Sequence, residues 1–210
     1  MAVITSYSTL LTETASWLAR SDLTSAIPGF VQAWEEDFFG DSDNWAPWME
    51  TALSVTLSNN VAAVPAAYLG LKIAYFDGRK PLDRLSLEQL YSRYPRGGGS
   101  AGIALYIARN GSNFEFGPES QSGTLAGTYY AKPTVLRSYT TGGADAVAHF
   151  LIVNFPQLCL YGTLLQAQPF LRKDDRVPLW KAAYDLQVES YRKRKMAEDS
   201  SGSSHFTVVM

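Results

Sequence analysis

The chain is 210 residues long, 46% hydrophobic and 18% charged. That is the balance of a folded chain, long enough for a sizeable core in one domain or one domain with an insertion. Its 18 Lys and Arg against 20 Asp and Glu leave a net charge of -2, which excludes wrapping nucleic acid by bulk charge. The single cysteine, Cys159, excludes an internal disulfide framework and fits a reducing compartment.

Taken in chain order, Ser6 is placed to cap a helix over Tyr7–Arg20, with Leu10, Leu11, Thr14, Trp17 and Leu18 as its buried stripe. A second helix starts near Pro28, presents Ile27, Val31, Trp34 and Phe38, and meets a stop at Gly40. The polar stretch GDSDNWAPW then reads as a loop. From about residue 50 the period changes to two. Leu53, Val55 and Leu57 alternate with polar residues and turn at Asn59-Asn60. Leu69, Leu71, Ile73 and Tyr75 alternate and turn at Asp77-Gly78. Ser86 caps one or two helical turns. RGGGSAG (Arg96–Gly102) reads as a loop tip, and a hairpin with Asn110-Gly111 at its turn follows. GTYYAKPTVL is a further strand, which Pro133 demotes to an edge or a bulge.

The chain returns to helix in TTGGADAVAHFLIV. Asn154 is a candidate cap, with Pro156 in the first turn of a helix bearing Leu158, Tyr161, Gly162 and Leu165. Asp174 or Asp175 can cap the last helix, whose stripe is Val177, Trp180, Tyr184, Val188 and Tyr191. Arg192, Lys193, Arg194 and Lys195 suit a helix C-terminus. Beyond them, EDSSGSS is a polar tether and HFTVVM a short apolar tip, which reads equally as a strand added to a partner or as a disordered terminus. The expected fold class is α+β and mainly helical. Residues 1–50 and 142–197 form a helix bundle, 51–141 a β-rich insertion, and 198–210 a flexible C-terminal tail.

No chemistry assembles from the residue types. His149, His205 and Cys159 give no zinc spacing, and His149 sits in an apolar run as a core residue. There is no G-x-S-x-G, and GGGSAG lacks the lysine of a phosphate loop. Glu35, Glu36 and Asp37 are consecutive on a helix, so they cannot flank one bond and read as a solvated face. Asp41 and Asp43 lack the spacing of a calcium loop. No cofactor or metal is expected. The N-terminus has no signal-peptide pattern and AVAHFLIVNF is too short to span a bilayer, so a soluble, cytoplasmically made protein with no membrane partner is expected.

Three segments together resemble a known family. NFPQLCLYGTLLQAQPFLRKDDRVPLWKAAYD (Asn154–Asp185) is similar to the C-terminal helices of head–tail adaptor proteins of short-tailed bacteriophages, the tail tubular protein A or gatekeeper-like connectors. YSTLLTETASWLARSDLTSAIPGFVQ (Tyr7–Gln32) is similar to that family's opening helix pair, and VPAAYLGLKIAYFDGRKPLDRLSLEQL (Val64–Leu90) to its middle segment. The resemblance implies a structural, non-enzymatic virion protein at the head–tail junction, made in the host cytoplasm. It implies a dodecameric ring below the portal that extends the DNA channel, through which the genome passes without sequence-specific binding. It also implies docking of the nozzle protein and of tail fibres or spikes. Ala33–Trp48 departs from the family pattern, being acidic and aromatic where a basic helix is usual. Arg192–Lys195 with His205, Phe206, Val208 and Met210 are the expected portal-binding residues. Two other readings are a tail-associated peptidoglycan hydrolase, which needs a paired acid and base, and a soluble α+β binding module, which needs an apolar pocket and stays monomeric.

Overall fold

A computed structural model describes residues 3–96, 102–120, 122–140, 149–171 and 174–200. The glycine loop at 97–101, the segment 141–148 and the tail 201–210, with His205, Phe206, Val208 and Met210, lie outside the described residues. The fold is α+β. The chain divides into two compact units, Met1–Trp45 with Thr134–Met210, and Ala46–Pro133. The short turn Pro47–Met49 packs on a strand of the second unit, and Leu136–Thr140 packs on helices of the first.

In the first unit, α1 (Tyr7–Leu18) begins at a capping box. The Ser6 hydroxyl accepts the Thr9 N–H at 3.2 Å, and the Thr9 hydroxyl oxygen accepts the Ser6 N–H at 2.9 Å. The helix ends at Ala19, which turns left-handed with φ 54°. α2 (Ile27–Gly40) keeps Gly40 inside the helix. The chain leaves through extended Asp41, and two side chains accept the role expected of a glycine cap. Asn44 Nδ2 donates to the Phe38 carbonyl and Trp45 Nε1 to that of Phe39, both at 2.9 Å.

α4 (Phe150–Asn154) and α5 (Pro156–Gln166) are separate helices broken at Phe155. Asn154 therefore closes α4 instead of capping α5, and its amide donates back to the Phe150 carbonyl at 2.9 Å. The cap of α4 is His149, whose Nδ1 accepts the Leu151 N–H at 3.2 Å. α5 packs against α1, α2, α4 and α6 (Val177–Ser200), and its Leu158, Cys159, Leu160 and Leu164 are fully buried. A helix enclosed on several sides needs apolar residues all round, so its pattern is broader than one stripe. At Gly162 a Cβ would lie 2.1 Å from Trp34 Nε1, so the indole lies against bare backbone there. Trp34, Phe38, Tyr191 and Phe155 continue this contact as a chain of rings, with successive centroids 5.5, 5.2 and 5.1 Å apart.

The second unit is one seven-stranded sheet in the order β3-β7-β1-β2-β6-β5-β4. Its strands are β1 (Glu50–Ser58), β2 (Val61–Ala63), β3 (Tyr68–Phe76), β4 (Asp83–Arg84), β5 (Tyr106–Asn110), β6 (Asn113–Gly117) and β7 (Ser122–Ala131). The β1–β2 turn is Asn59-Asn60, both at positive φ. In the β5–β6 hairpin Asn110 pairs with Asn113, so the turn residues are Gly111 and Ser112, one position later than expected. The sheet curls back on itself. Leu82 N–H donates to the Ala74 carbonyl at 2.8 Å, Tyr75 bridges Pro81, and Asp83 N–H donates to Leu105 at 3.0 Å. Residues 81–85 thus link β3 to β5 and cover the outer edge of β3, which removes a template for unwanted pairing.

β7 is an interior strand, next to the β3 edge, with β1 paired along Ser122–Tyr130 on one side and β3 on the other. Pro133 lies past its end and demotes nothing, because a proline is excluded only where the strand's N–H must enter the ladder. β3 carries register shifts at Tyr68/Gly70 and Leu71/Ile73. The second shift moves its buried face from the expected Ile73 and Tyr75 to Ala74 and Phe76. Gly127, at φ 157°, sits where a Cβ would meet the Ile73 carbonyl at 2.2 Å. Leu53, Leu57, Leu71, Phe76, Phe114, Phe116 and Leu125 belong to the core that the curled sheet encloses. Helix α3 (Leu87–Arg93), capped by a Ser86–Gln89 box, packs on β5 and β6.

Burial pushes His149 from 6.5 down to about 4, so it is neutral in the fold at pH 7. The unfolded chain takes up this proton as the pH falls through 6.5, whereas the folded chain takes it up only near 4. The stabilisation is complete above 6.5 and is lost between those values, on the order of 3 kcal/mol. Urea unfolding from pH 7 to 4 should show this loss. His149→Asn, which keeps a cap acceptor without the titration, should flatten that part of the profile.

Candidate assembly interface

At about 1.5 Å per residue, α6 with its 24 residues is about 36 Å long. Its start is fixed by Asp174, which accepts the Arg176 N–H at 3.0 Å and pairs with the Arg176 guanidinium at 2.6 Å. These hydrogen bonds from Arg176 hold the Asp174 carboxyl down at about 2. Arg176 also donates to the Trp17 carbonyl at 2.7 Å and lies over the Trp180 ring, 5.0 Å from its centroid.

The face carrying the predicted stripe turns inward. Trp180 and Tyr191 are buried, while Val177, Tyr184 and Val188 are half-buried. Tyr184 accepts the Trp34 indole N–H at 3.2 Å, and burial raises its phenol pKa. Tyr191 donates to the Asn44 carbonyl at 2.8 Å.

The basic run lies within α6, which continues to Ser200, rather than at its end. Residues 198–200, expected in the tail, are helical. Glu198 accepts from Arg194 one turn back at 2.9 Å, and the Ser200 hydroxyl donates to the Met196 carbonyl at 2.6 Å. All four cations have partners within the molecule, and three of them reach segments outside α6. Arg192 donates to Asn44 Oδ1 at 3.0 Å and to Asp41 Oδ2 at 2.7 Å. Lys195 donates to the Asp43 carbonyl at 3.0 Å. Arg194 donates to Asn154 Oδ1 at 2.9 Å and lies over Phe150 and Phe155. Lys193 pairs with Glu189 at 2.7 Å on the solvent side. The signal for this was present in the acidic turn Asp41–Asn44, whose charges complement the basic run across 150 residues of sequence.

The opposite face carries a second seam that the inner stripe hides. Leu179, Ala182, Leu186, Glu189, Lys193 and Met196 are all exposed and recur at gaps of three and four. Leu179, Leu186 and Met196 are 70%, 65% and 68% exposed. Apolar residues spaced seven and ten apart on one face, with the Glu189–Lys193 ion pair between the last two, form the pattern of a helix that packs on another helix.

The acidic group on α2 is not a uniform solvated face. Glu36 is exposed, and Asp37 accepts from Gln166 at 2.7 Å, but Glu35 is buried and accepts the Leu136 N–H at 2.9 Å. Cys159 is fully buried, and its thiol is pushed far up by burial, as for an unreactive core residue. Among the described residues no group of three or more His, Cys, Asp and Glu is placed to hold a metal ion. No helix among them is long and apolar enough to cross a membrane.

Residues 5–206 fit the model of the family described as SU10 adaptor protein. No curated protein matches the chain.

The two aromatic anchors of α6 should separate under mutation. Trp180→Ala empties a buried site and should cost about 3–5 kcal/mol. Tyr191→Phe removes only the hydrogen bond to Asn44 and should cost about 1 kcal/mol. Denaturant midpoints of the two variants at one pH give the comparison.

Proposed function

The chain belongs to the SU10 adaptor protein family, a family of phage head–tail adaptors, and from this we propose that it acts as a ring of identical subunits beneath the portal. The family places it at the head–tail junction of the virion in a structural role, among portal and tail components. The ring of twelve copies, the portal contact, the lengthened DNA channel, and the docking of the nozzle and of fibres or spikes are our reading.

One observation carries it. α6 carries apolar residues on two faces, and among the described residues only one of these faces is buried. A closed ring needs heterologous contacts, in which one surface of each subunit meets a different surface of the next. The outer seam of Leu179, Leu186 and Met196 supplies a rigid apolar surface for such a contact, with the Glu189–Lys193 pair available to fix its register. A net charge of -2 suits a channel wall that lets DNA slide without holding it.

We assign the portal contact to the C-terminal segment. In the tip, which begins at His205, Phe206, Val208 and Met210 alternate with Thr207 and Val209, a pattern suited to an added strand. Because Arg192, Arg194 and Lys195 are held by internal partners, Lys193 is the member of the basic run whose protein contact lies on the solvent side.

The joint replacement Leu179→Asp and Leu186→Asp changes only exposed positions, so its thermal midpoint should stay close to that of the parent. In sedimentation with purified portal, this variant should bind as separate subunits without completing a ring. A chain ending at residue 200 should instead lose portal binding while keeping its circular dichroism spectrum. Complete rings from the double variant would sink the seam as the subunit contact. Full-strength portal binding by the truncated chain would reject the tail as the anchor.

A further inference from the structure

Where α1 begins, a cavity of about 200 Å³ opens between Tyr7, one side of α2 and residues 135–137. Pro28, Val31 and Val135 form its apolar walls, Glu35 lines it, and Arg137 stands among the lining residues as an exposed cation. Tyr7 is 3% exposed, and its hydroxyl finds no hydrogen-bond partner among the described residues. Glu35 is 4% exposed and takes the Leu136 N–H on Oε1. The Tyr7 phenol is raised by burial and then by the Glu35 charge, which places the two groups in one electrostatic neighbourhood. A buried hydroxyl without a partner is costly, and native structures rarely keep one without a ligand or a water to satisfy it.

We propose that this cavity binds a small neutral alcohol or primary amide on a short branched apolar stem. The phenol O–H needs an acceptor and the carboxylate takes donors. A hydroxyl or primary amide does both, accepting from Tyr7 while donating to Glu35. An anion would face Glu35 and a cation would face Arg137, so neither sign of charge is favoured. The volume is well above the roughly 30 Å³ that one water occupies in the liquid, and the walls of Pro28, Val31 and Val135 suit a branched stem. An occupant would join α1, α2 and the 135–137 segment, which otherwise meet there around an orphaned hydroxyl. The site is independent of ring formation, so it stands or falls apart from the proposed function.

The test is a titration of the whole chain with isobutyramide, read from the methyl NMR signals of Val31 and Val135. Isobutyrate and isobutylammonium serve as charged probes of equal shape. Isobutyramide should give saturable shifts at both valines and raise the melting temperature, and the two ions should give neither. Tyr7→Phe should bind about tenfold more weakly, a factor expected for one hydrogen bond, without a lower melting temperature in the absence of probe. Val135→Trp, at a 38% exposed position, should block the cavity and abolish the shifts. The proposal is overturned if isobutyramide gives no saturable shift, if Tyr7→Phe binds it as tightly as the parent, or if either ion binds better.

Discussion

The contact of Trp34 with Gly162 and Tyr184 organises the helical unit. The indole on α2 lies against the backbone of α5, where residue 162 has no side chain, and its N–H ends on the Tyr184 hydroxyl of α6. Three helices from distant parts of the sequence are therefore positioned by one ring. The geometry is demanding. A large side chain gains the dispersion of a close helix approach only if its neighbour has no Cβ, and its polar atom must still find a partner in a low-dielectric site. The residues around it follow from this. Phe38 stacks one turn further along α2, Tyr191 meets Phe38 edge-on, and Phe155 meets Tyr191 at the break between α4 and α5.

The distal half of α6 is fastened by different physics. Tyr191, Arg192 and Lys195 all reach the turn Asp41–Asn44, the same turn whose Asn44 amide donates to the Phe38 carbonyl near the end of α2. One short acidic segment thus closes one helix and holds another. The exposed Arg192–Asp41 ion pair contributes little alone, but here it accompanies a buried tyrosine and a buried asparagine, so the turn is held from both sides. The acidity of this segment has a structural partner in the basic run, where Arg192 pairs with Asp41.

Local signals were legible in the sequence and long-range ones were not. Ser6 and Ser86 cap as their spacing indicates, and the Asn59-Asn60 and Asp77-Gly78 turns adopt the positive φ that those residues tolerate. The α+β class and the family could both be read because period and block order survive in a single sequence. The placement of β7 between β1 and β3 could not, because its paired residues lie 49 or more positions away in sequence and Pro133 is a local cue that acts just past the strand. The phase of β3 was misread because a bulge adds a residue without leaving a pattern in hydrophobicity. At the candidate interface the inner stripe was legible from large aromatic residues. The outer seam was not, since two of its six positions are charged and one is alanine. Glu35 looked solvated because three consecutive acids suggest an exposed face, and only the backbone N–H of Leu136 reveals why one of them is buried.

The pairing of Glu50 with Tyr130 has a consequence for how such a chain can change over time. The curled sheet begins and ends on adjacent, antiparallel strands, so its incoming and outgoing connections sit side by side. To the rest of the polypeptide, 88 residues from Ala46 to Pro133 are a stem of two neighbouring strand ends. Lengthening a β-turn or exchanging the whole sheet leaves that separation unchanged and adds little closure entropy to the helices. The sheet is thus a cassette, free to diverge while the helical unit stays constant.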